Sequence, residues 1–318
     1  MSVFDEDVLT GAKPSVARVY DFFLGGKDNY PVDREFAHRL AAACPAIDFW
    51  AEVRWNRLLM LRAARFAARD GIDQFIDIGT GIPLTPNLHE VAQQVNPGVR
   101  AVYVDNDPVV LAHARALLPS TPQGATAYID ADLRDPQEIL RQAAATLDLD
   151  RPIALSLVAV LHFVRDDEGP YEIVAALRDA LAPGSRLVIT HAVKRPDLPD
   201  PLRKDYEQVG IQYQAAMSTG TLRTPEQVGN LFGDWPLLDP GQVDVPAWRS
   251  EEHIDVPLWR DADEARQDPN APATSFPSRA GRPGVGKSYR PCSSAAWPTS
   301  PRPEGRRREL GRRDHRGR

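Results

Sequence analysis

The sequence predicts an α/β fold: helices flank a doubly wound, mostly parallel sheet, and a helical segment precedes it. Two observations predict this class. Helical periodicity alone fills the first 71 residues, and five short apolar runs then alternate with helical segments. Strands that alternate with helices at this spacing are typical of βαβ units, whose strands run parallel. The apolar runs are Gln74–Ile78, Ala101–Val104, Ala125–Asp130, Pro152–Val160 and Ser185–Thr190.

The N-terminal block contains three predicted helices. Apolar residues recur at helical spacing over Lys13–Leu24, which two glycines then stop, and over Asp33–Ala43. Asp48–Asp70 is a longer helix that ends at a glycine, a common C-terminal signal. We therefore predict a helical cap over residues 1–71, with Arg18 at its surface.

Helix start signals support the alternation in the second part of the chain. One helix opens with a proline at its first position, and the next opens with a capping box formed by Asp135 and Glu138. Val243–Trp248 indicates late strand material. The predicted helices are Pro108–Leu118, Pro136–Thr146, Tyr171–Leu181, Leu202–Met217 and Glu226–Phe232.

The C-terminal segment has a different composition from the folded body. Residues 268–318 hold 12 Lys or Arg against 4 Asp or Glu, which leaves the rest of the chain with a net charge of about −14. We predict a main domain over residues 72–265 and a disordered, basic, Pro/Gly/Arg-rich tail over 266–318. A shifted reading frame in a GC-rich gene produces the same composition, and the sequence leaves both interpretations open.

Composition excludes several classes of protein. Two distant cysteines cannot form a disulfide framework or a cysteine-rich metal site, and the seven histidines lack metal-binding spacing. We therefore expect no metal. No run of 18 apolar residues occurs, and the first residues lack the features of a signal peptide. These observations predict a cytoplasmic protein that does not enter a membrane.

Acidic side chains lie at or just beyond the ends of the first three predicted strands. Asp77 precedes a turn that contains Gly79 and Gly81, Asp105 ends the second strand, and Asp132 follows the third. Because carboxyl ends of parallel strands meet at one edge of the sheet, ligands bind there. A carboxylate after the second strand can accept hydrogen bonds from both ribose hydroxyls. The pattern predicts a nucleoside-binding site, with Asp132 at the adenine edge.

The turn itself indicates which nucleoside cofactor binds. A dinucleotide turn requires a third glycine and a helix N-terminus that meets the pyrophosphate, but Leu84 occupies the third position. Asp77 would repel a phosphate and would attract the amino group of S-adenosylmethionine (AdoMet). The residues favour AdoMet, and a nicotinamide cofactor stays open as the alternative.

Several motifs resemble those of known methyltransferases. DIGTG (77–81), VDNDP (104–108) and DADLRDP (130–136) resemble three motifs of class I AdoMet-dependent methyltransferases. Over roughly residues 10–260 the chain resembles an actinobacterial S-adenosyl methyltransferase family, formerly a domain of unknown function. The segments that carry this resemblance are PSVARVYDFFLGGKDNYPVDREFA (14–37), VAVLHFVRDDEGP (158–170), LAPGSRLVITH (181–191) and RTPEQVGNLFGDWPLLDPGQVDVPAWR (223–249).

The resemblance implies a class I fold with a seven-stranded, Rossmann-like sheet and AdoMet bound across its first strands. The site residues that it implies are Asp77, Gly79 and Gly81 for the methionine part, Asp105 for the ribose, and Asn106, Asp132 and Leu133 for the adenine. Two departures stand out. Pro83 occupies a position where many class I enzymes have a glycine, and no clear final strand follows residue 249.

The candidate catalytic residues are His162, just past the fourth strand, and Tyr20 or Tyr30 in the cap. Any of them could take a proton from an acceptor that is still protonated at neutral pH. The Gly-Gly turn after the first helix suggests a lid, with Lys27 or Asn29 reaching the methionine carboxylate. The alternative interpretations are a histidine that caps its strand and a turn that only stops a helix.

The resulting hypothesis is an AdoMet-dependent methyltransferase that acts on a small molecule. The acidic body would repel phosphates, so nucleic acid is a less favoured partner, and the oligomeric state is open. The alternatives are a non-catalytic AdoMet-binding regulator, an NAD(P)-dependent oxidoreductase, and a nucleic-acid binder that acts through the basic tail.

Overall fold

Three helices form the N-terminal cap of the protein. The computed structural model describes residues 11–117, 120–254 and 293–296. Helices α1 (Val16–Phe23), α2 (Pro31–Ala43) and α3 (Phe49–Arg69) precede the first strand, as the periodicity predicts. Asp48 caps α3, because its side chain accepts a hydrogen bond from the Ala51 amide at 3.2 Å.

The sheet has seven strands in the order β3-β2-β1-β4-β5-β7-β6. The first five strands pair in parallel, and β7 runs antiparallel to both β5 and β6. This confirms the predicted seven-stranded, mostly parallel sheet with a helical cap. The strands are β1 (Gln74–Ile78), β2 (Arg100–Asp105), β3 (Ala125–Asp130), β4 (Ala154–Val158), β5 (Arg186–Ala192), β6 (Val243–Asp244) and β7 (Ser293–Ala296).

Six further helices follow the cap in the part of the chain that the structure describes. All but one match a predicted segment within a few residues; the exception is α4, which sequence periodicity does not reveal because it is short. Its signal was a capping box, in which Glu90 accepts a hydrogen bond from the Asn87 amide. The helices are α4 (Leu88–Gln93), α5 (Pro108–Leu117), α6 (Pro136–Ala143), α7 (Pro170–Asp179), α8 (Asp200–Met217) and α9 (Pro225–Asn230).

The prediction of a disordered tail is wrong for Ser293–Ala296. These residues form β7, the strand that lies between β5 and β6 and completes the sheet. Two serines and two alanines show no alternation of polar and apolar side chains, so the strand depends on backbone pairing that periodicity cannot detect. The rest of the predicted tail lies outside the described residues.

The sheet separates two apolar cores, and the cap adds a third. One face packs on α6, α7 and α9. The opposite face packs on α3 and α4. Phe22, Phe36 and Trp50 form the cap core together with Tyr206 of α8. Helix α3 contributes to the second and third cores, so it joins the cap to the sheet.

Strand alternation decides which side chains meet α3. Ile76 and Ile78 of β1 belong to the core under α6 and α7, whereas Phe75 belongs to the core under α3. Because successive side chains of a strand point to opposite faces, Asp77 lies on the same face as Phe75, toward α3. Thr190 of β5 shares that face for the same reason.

A buried ion pair joins α1 to α2. The Arg18 guanidinium donates from Nε to Asp33 at 2.7 Å, and neither side chain is exposed to solvent. Asp33 also accepts the backbone amides of Ser15 and Tyr30. The expectation that Arg18 lies at the surface is therefore wrong. Its side chain points to the Asp33 carboxylate, which also holds the residues just before α1 and α2.

Within residues 11–117 and 120–254, no helix is both long and apolar enough to cross a membrane.

Removing the buried partner of Arg18 should destabilise the cap. Asp33→Ala removes the buried carboxylate that Arg18 contacts and leaves the Ser15 and Tyr30 amides without it, so we expect the free energy of unfolding to fall by about 3–5 kcal/mol. Urea denaturation measures it. Glu35→Ala, on the exposed face of the same helix, should change it by less than about 0.5 kcal/mol. Equal effects of the two substitutions would show that the pair does not hold the cap.

Candidate active site

A single large cavity opens at the carboxyl edge of the sheet. Its volume is about 600 Å³, and residues of the cap and of α8 close it from the side opposite the strands. A cavity of this size accommodates a nucleoside cofactor together with part of a second small molecule. Among the lining residues are Tyr20, Arg57, Asp77, Gly79, Asp105, Asp132, His162 and Tyr206.

The glycine turn after β1 provides the floor of the cavity. Gly79 and Gly81 have φ angles of +71° and +66°, values that L side chains rarely adopt. A Cβ atom at Gly79 would lie 2.5 Å from a methyl group of Val160, whereas a Cβ at Gly81 would meet nothing within 4 Å. Gly79 therefore makes room for the Val160 side chain, and open space in which a ligand can approach the backbone lies at Gly81.

Asp105 ties the end of β2 to the glycine turn. Its carboxylate accepts the amides of Gly81 and Asp107, both at 2.9 Å. Burial raises the pKa of Asp105 to about 6, although the two amide donors oppose this shift. A carboxylate can accept about four hydrogen bonds, so acceptor capacity is left for a diol in the cavity.

Asp77 and Arg57 line the cavity and carry opposite charges. Burial raises the pKa of Asp77, while Ser156 and the positive charge of Arg57 act against this shift. Arg57 of α3 donates from Nη2 to the carbonyl oxygens of Leu84 and Pro86, at 2.5 and 3.0 Å. The pair can receive an ammonium and a carboxylate, the two groups of an amino acid. No sequence pattern points to Arg57, because it lies on a helix of the cap and not at a strand end.

A cluster of polar side chains lies beside the end of β3, at the mouth of the cavity. Asn106 donates to Asp132 at 2.9 Å, and Arg134 pairs with Asp132 at 3.1 Å. Leu133 is buried and lines the cavity between them. An apolar side chain beside amide and carboxylate groups suits a flat, polar-edged base such as adenine.

Tyr20 belongs to a hydrogen-bonded chain that crosses the cavity wall. The Ala159 amide donates to Thr190 Oγ1 at 2.8 Å, and Thr190 donates to Asn56 Oδ1 at 2.6 Å. Asn56 Nδ2 in turn donates to the Tyr20 hydroxyl at 3.0 Å, which donates to the Val53 carbonyl at 3.1 Å. Burial raises the pKa of Tyr20. The chain locks the Tyr20 hydroxyl in place and keeps its proton on it.

His162 lines the cavity just after β4, as predicted. Burial, and secondly the positive charge of Arg223, lower the pKa of His162 to about 4, so the imidazole is neutral at physiological pH. Its Nδ1 is buried without a hydrogen-bond partner. Arg223 itself donates to the neighbouring His191 and to Asp166. A neutral imidazole in a cavity wall can accept a proton.

The structure does not bring the Gly-Gly turn to the cavity. Lys27 is exposed, and Asn29 is buried in a local network in which it donates to Asp21 at 2.8 Å and accepts from Arg34 at 3.0 Å. Tyr30 lies outside the cavity, with the Arg18 guanidinium 4.7 Å from its ring. The turn thus orders the cap, and we retain none of these three residues in the cofactor or catalytic site.

The residues at the strand ends fit AdoMet better than a dinucleotide. A dinucleotide turn leads directly into a helix, but α4 begins only at Leu88, well past Gly81, so the glycine turn does not open a helix. The open space at Gly81, the acceptor capacity of Asp105 and the opposite charges of Asp77 and Arg57 match the parts of AdoMet. Fold and site together define an AdoMet-dependent methyltransferase.

The chain belongs to the S-adenosyl methyltransferase family, whose sequence model matches residues 4–273. No curated protein matches the chain. A candidate methyltransferase from Thermobifida fusca is 36% identical over 95% of this chain and 100% of its own, with a TM-score of 0.73. A DUF574 family protein from Streptomyces avermitilis is 35% identical over 91% of this chain and 98% of its own, with a TM-score of 0.74.

The two glycines should respond differently to the same substitution. Gly81→Ala has only the positive φ to accommodate, at a cost of about 1–3 kcal/mol in stability. Gly79→Ala adds a clash with Val160, so we expect a larger loss and weaker binding of AdoMet, with partial recovery in Gly79→Ala/Val160→Ala. Urea denaturation and calorimetric titration measure both effects. Identical losses in the two single variants would contradict the assigned geometry.

Buried His162 should make the protein sensitive to acid. Its folded pKa of about 4 lies below the unfolded value, so the unfolded chain takes up a proton first as the pH falls below about 6.5. Between pH 6.5 and 4, stability should fall by up to about 1.4 kcal/mol per pH unit on account of this group. His162→Gln should flatten the pH dependence of urea denaturation accordingly. An unchanged pH dependence in His162→Gln would indicate that His162 is exposed to solvent in the folded protein.

Proposed function

We propose that the chain transfers the methyl group of AdoMet to a small molecule bound in the same cavity, with His162 as the proton acceptor. The observation that carries this proposal is the cavity itself, which extends from the strand ends to residues of the cap and α8. The cap and α8 enclose its outer part. Such an enclosure suits a small acceptor better than a nucleic acid, which the acidic chain would also repel.

The proposed cofactor site follows the charges on the cavity wall. Asp77 and Arg57 would hold the amino and carboxylate groups of the methionine part, above Gly79 and Gly81. Asp105 would accept hydrogen bonds from the ribose. The adenine would lie against Leu133, with Asn106 and Asp132 at its edge.

The sulfonium of bound AdoMet supplies the driving force of methyl transfer, so the protein chiefly orients the acceptor and excludes water. His162 is neutral and can take the proton that a hydroxyl or neutral amine releases as its oxygen or nitrogen forms a bond to the methyl carbon and the carbon–sulfur bond of AdoMet breaks. Tyr20 acts as a positioning residue, because its hydroxyl proton is engaged by the Val53 carbonyl and its pKa is raised. We propose a cytoplasmic location, which the free thiol of Cys44 supports.

Calorimetric titration with AdoMet, S-adenosylhomocysteine and NAD⁺ tests the cofactor. We expect the first two to bind and the third not to; binding of NAD⁺ alone would overturn the assignment. Incubation with methyl-labelled AdoMet and an actinobacterial extract, separated by size, then tests the acceptor. Label in the low-molecular-weight fraction supports the proposal, and label confined to nucleic acid or protein contradicts it.

Asp105→Ala should weaken the binding of AdoMet by about 1.5–3 kcal/mol, the range for hydrogen bonds to a charged group. Isothermal titration of wild type and variant measures the difference. The matched control is Asp150→Ala, which removes an exposed carboxylate before β4, at the opposite edge of the sheet. An unchanged affinity in Asp105→Ala would show that the ribose lies elsewhere.

A further inference from the structure

Glu52 is a carboxylic acid in the cavity wall that the proposed reaction does not use. It lies on the face of α3 that borders the cavity, where residues recur at helical spacing. The lining residues of this face are Phe49, Glu52, Val53, Asn56, Arg57 and Met60. In the sequence, Glu52 is an acidic residue between Phe49 and Val53 in an otherwise apolar stretch.

The position of Glu52 along α3 places it on the acceptor side. Arg57, beside Asp77, marks the methionine end of the cofactor site. Glu52 lies five positions earlier, about 7.5 Å back along the helix axis. Glu52 also lies one helical turn before Asn56, the residue that donates a hydrogen bond to Tyr20. Its partner is Tyr206 of α8, whose hydroxyl donates to Glu52 Oε1 at 2.7 Å.

The charges around Glu52 are negative. Burial raises the pKa of Glu52 to about 7, the Tyr206 hydrogen bond opposes this, and the acidic groups of Asp48 and Asp244 add to it. Asp244 is itself paired with Arg195, which Asp197 also contacts. Within residues 11–117 and 120–254, no ion pair involves Glu52. A partly buried acid without a cation is costly, and a cation from outside the chain would relieve that cost.

The wall around Glu52 is otherwise apolar and rich in aromatic rings. The side chains that line this part of the cavity include Ile47, Phe49, Val53, Val209, Tyr213 and Met217. Burial raises the pKa of Tyr213, so its hydroxyl stays neutral. A flat, apolar ligand body fits such a wall, and the carboxylate of Glu52 gives it one point of polar attachment.

We propose that Glu52, held by Tyr206, binds a protonated amino group of the acceptor, so that the acceptor is an apolar or aromatic small molecule that carries an amine. The inference rests on the proposed function and deepens it. An ammonium and a carboxylate form a charge-assisted hydrogen bond, which is stronger than the bond that a neutral hydroxyl would form. Asp48 and Asp244 extend the same negative potential and disfavour an anionic acceptor.

The probes are arylalkylamines, each paired with the alcohol of the same skeleton; tryptamine and tryptophol are one pair. Each is titrated into protein saturated with S-adenosylhomocysteine and followed by ligand-observed NMR. We expect wild type to bind the amines more tightly than the alcohols. Glu52→Gln keeps an acceptor for the Tyr206 hydroxyl and removes the charge, so it should reduce this preference about tenfold or more. Glu35→Gln, exposed on α2, is the control.

The pH dependence of binding separates a charge effect from a structural one. Alkylamines stay protonated up to about pH 10, so a rise in amine affinity between pH 6 and 8 reports the ionisation of Glu52. The wild type should show this rise for amines and not for alcohols, and Glu52→Gln should show neither. Asp48, Asp244 and Tyr206, the titratable groups that face Glu52, are present in both proteins.

The inference is overturned if the wild type shows no preference for amines, including the case in which no probe binds, or if Glu52→Gln keeps the preference. The pH profile of the wild type decides the matter even if the variant does not fold. Binding of S-adenosylhomocysteine, measured separately, distinguishes the two proposals. If the wild type does not bind S-adenosylhomocysteine, the proposed function is wrong. If it binds S-adenosylhomocysteine but shows no preference for amines, only the proposed role of Glu52 is wrong.

Discussion

The carboxylate of Asp105 is the interaction on which the site depends. It accepts the amides of Gly81 and Asp107, and so fixes the glycine turn against the end of β2. Asp107 in turn accepts the Ser15 hydroxyl at 2.7 Å, and the Ser15 amide donates to Asp33 in the cap. A continuous series of buried or partly buried polar contacts thus joins the sheet edge to the cap. The floor and the cover of the cavity are set by the same groups.

Helix α3 carries the second constraint. It packs on the sheet with one part of its surface and on the cap with another, and its remaining face forms a wall of the cavity. Along that face the chemistry changes from the guanidinium of Arg57 through the amide of Asn56 to the carboxyl of Glu52. One rigid element therefore sets the spacing between the cofactor end and the acceptor end, which favours a site that needs little rearrangement.

Sequence patterns predicted the strands and most helices because each strand is a short apolar run and each long helix has an amphipathic period. They also predicted the strand-end residues of the candidate site, since parallel strands align Asp77, Asp105 and Asp132 at one edge. Arg57 and Glu52 escaped prediction because their contacts join elements distant in sequence. The turn at Lys27 and Asn29 was misjudged for the same reason: only the packing of α1 on α2 shows where it faces.

The position of β7 has a consequence for the order of folding. Its pairing with β5 joins Ile189 to Ala296, 107 positions apart, whereas the longest pairing among β1 to β5 joins Phe75 to Ala154, 79 positions apart. The N-terminal part of a chain is also synthesised first, so β7 is the last strand to become available to the sheet. The strand ends that line the cavity all precede residue 193. Cofactor binding during synthesis would then stabilise the half-formed sheet by mass action before its last edge closes.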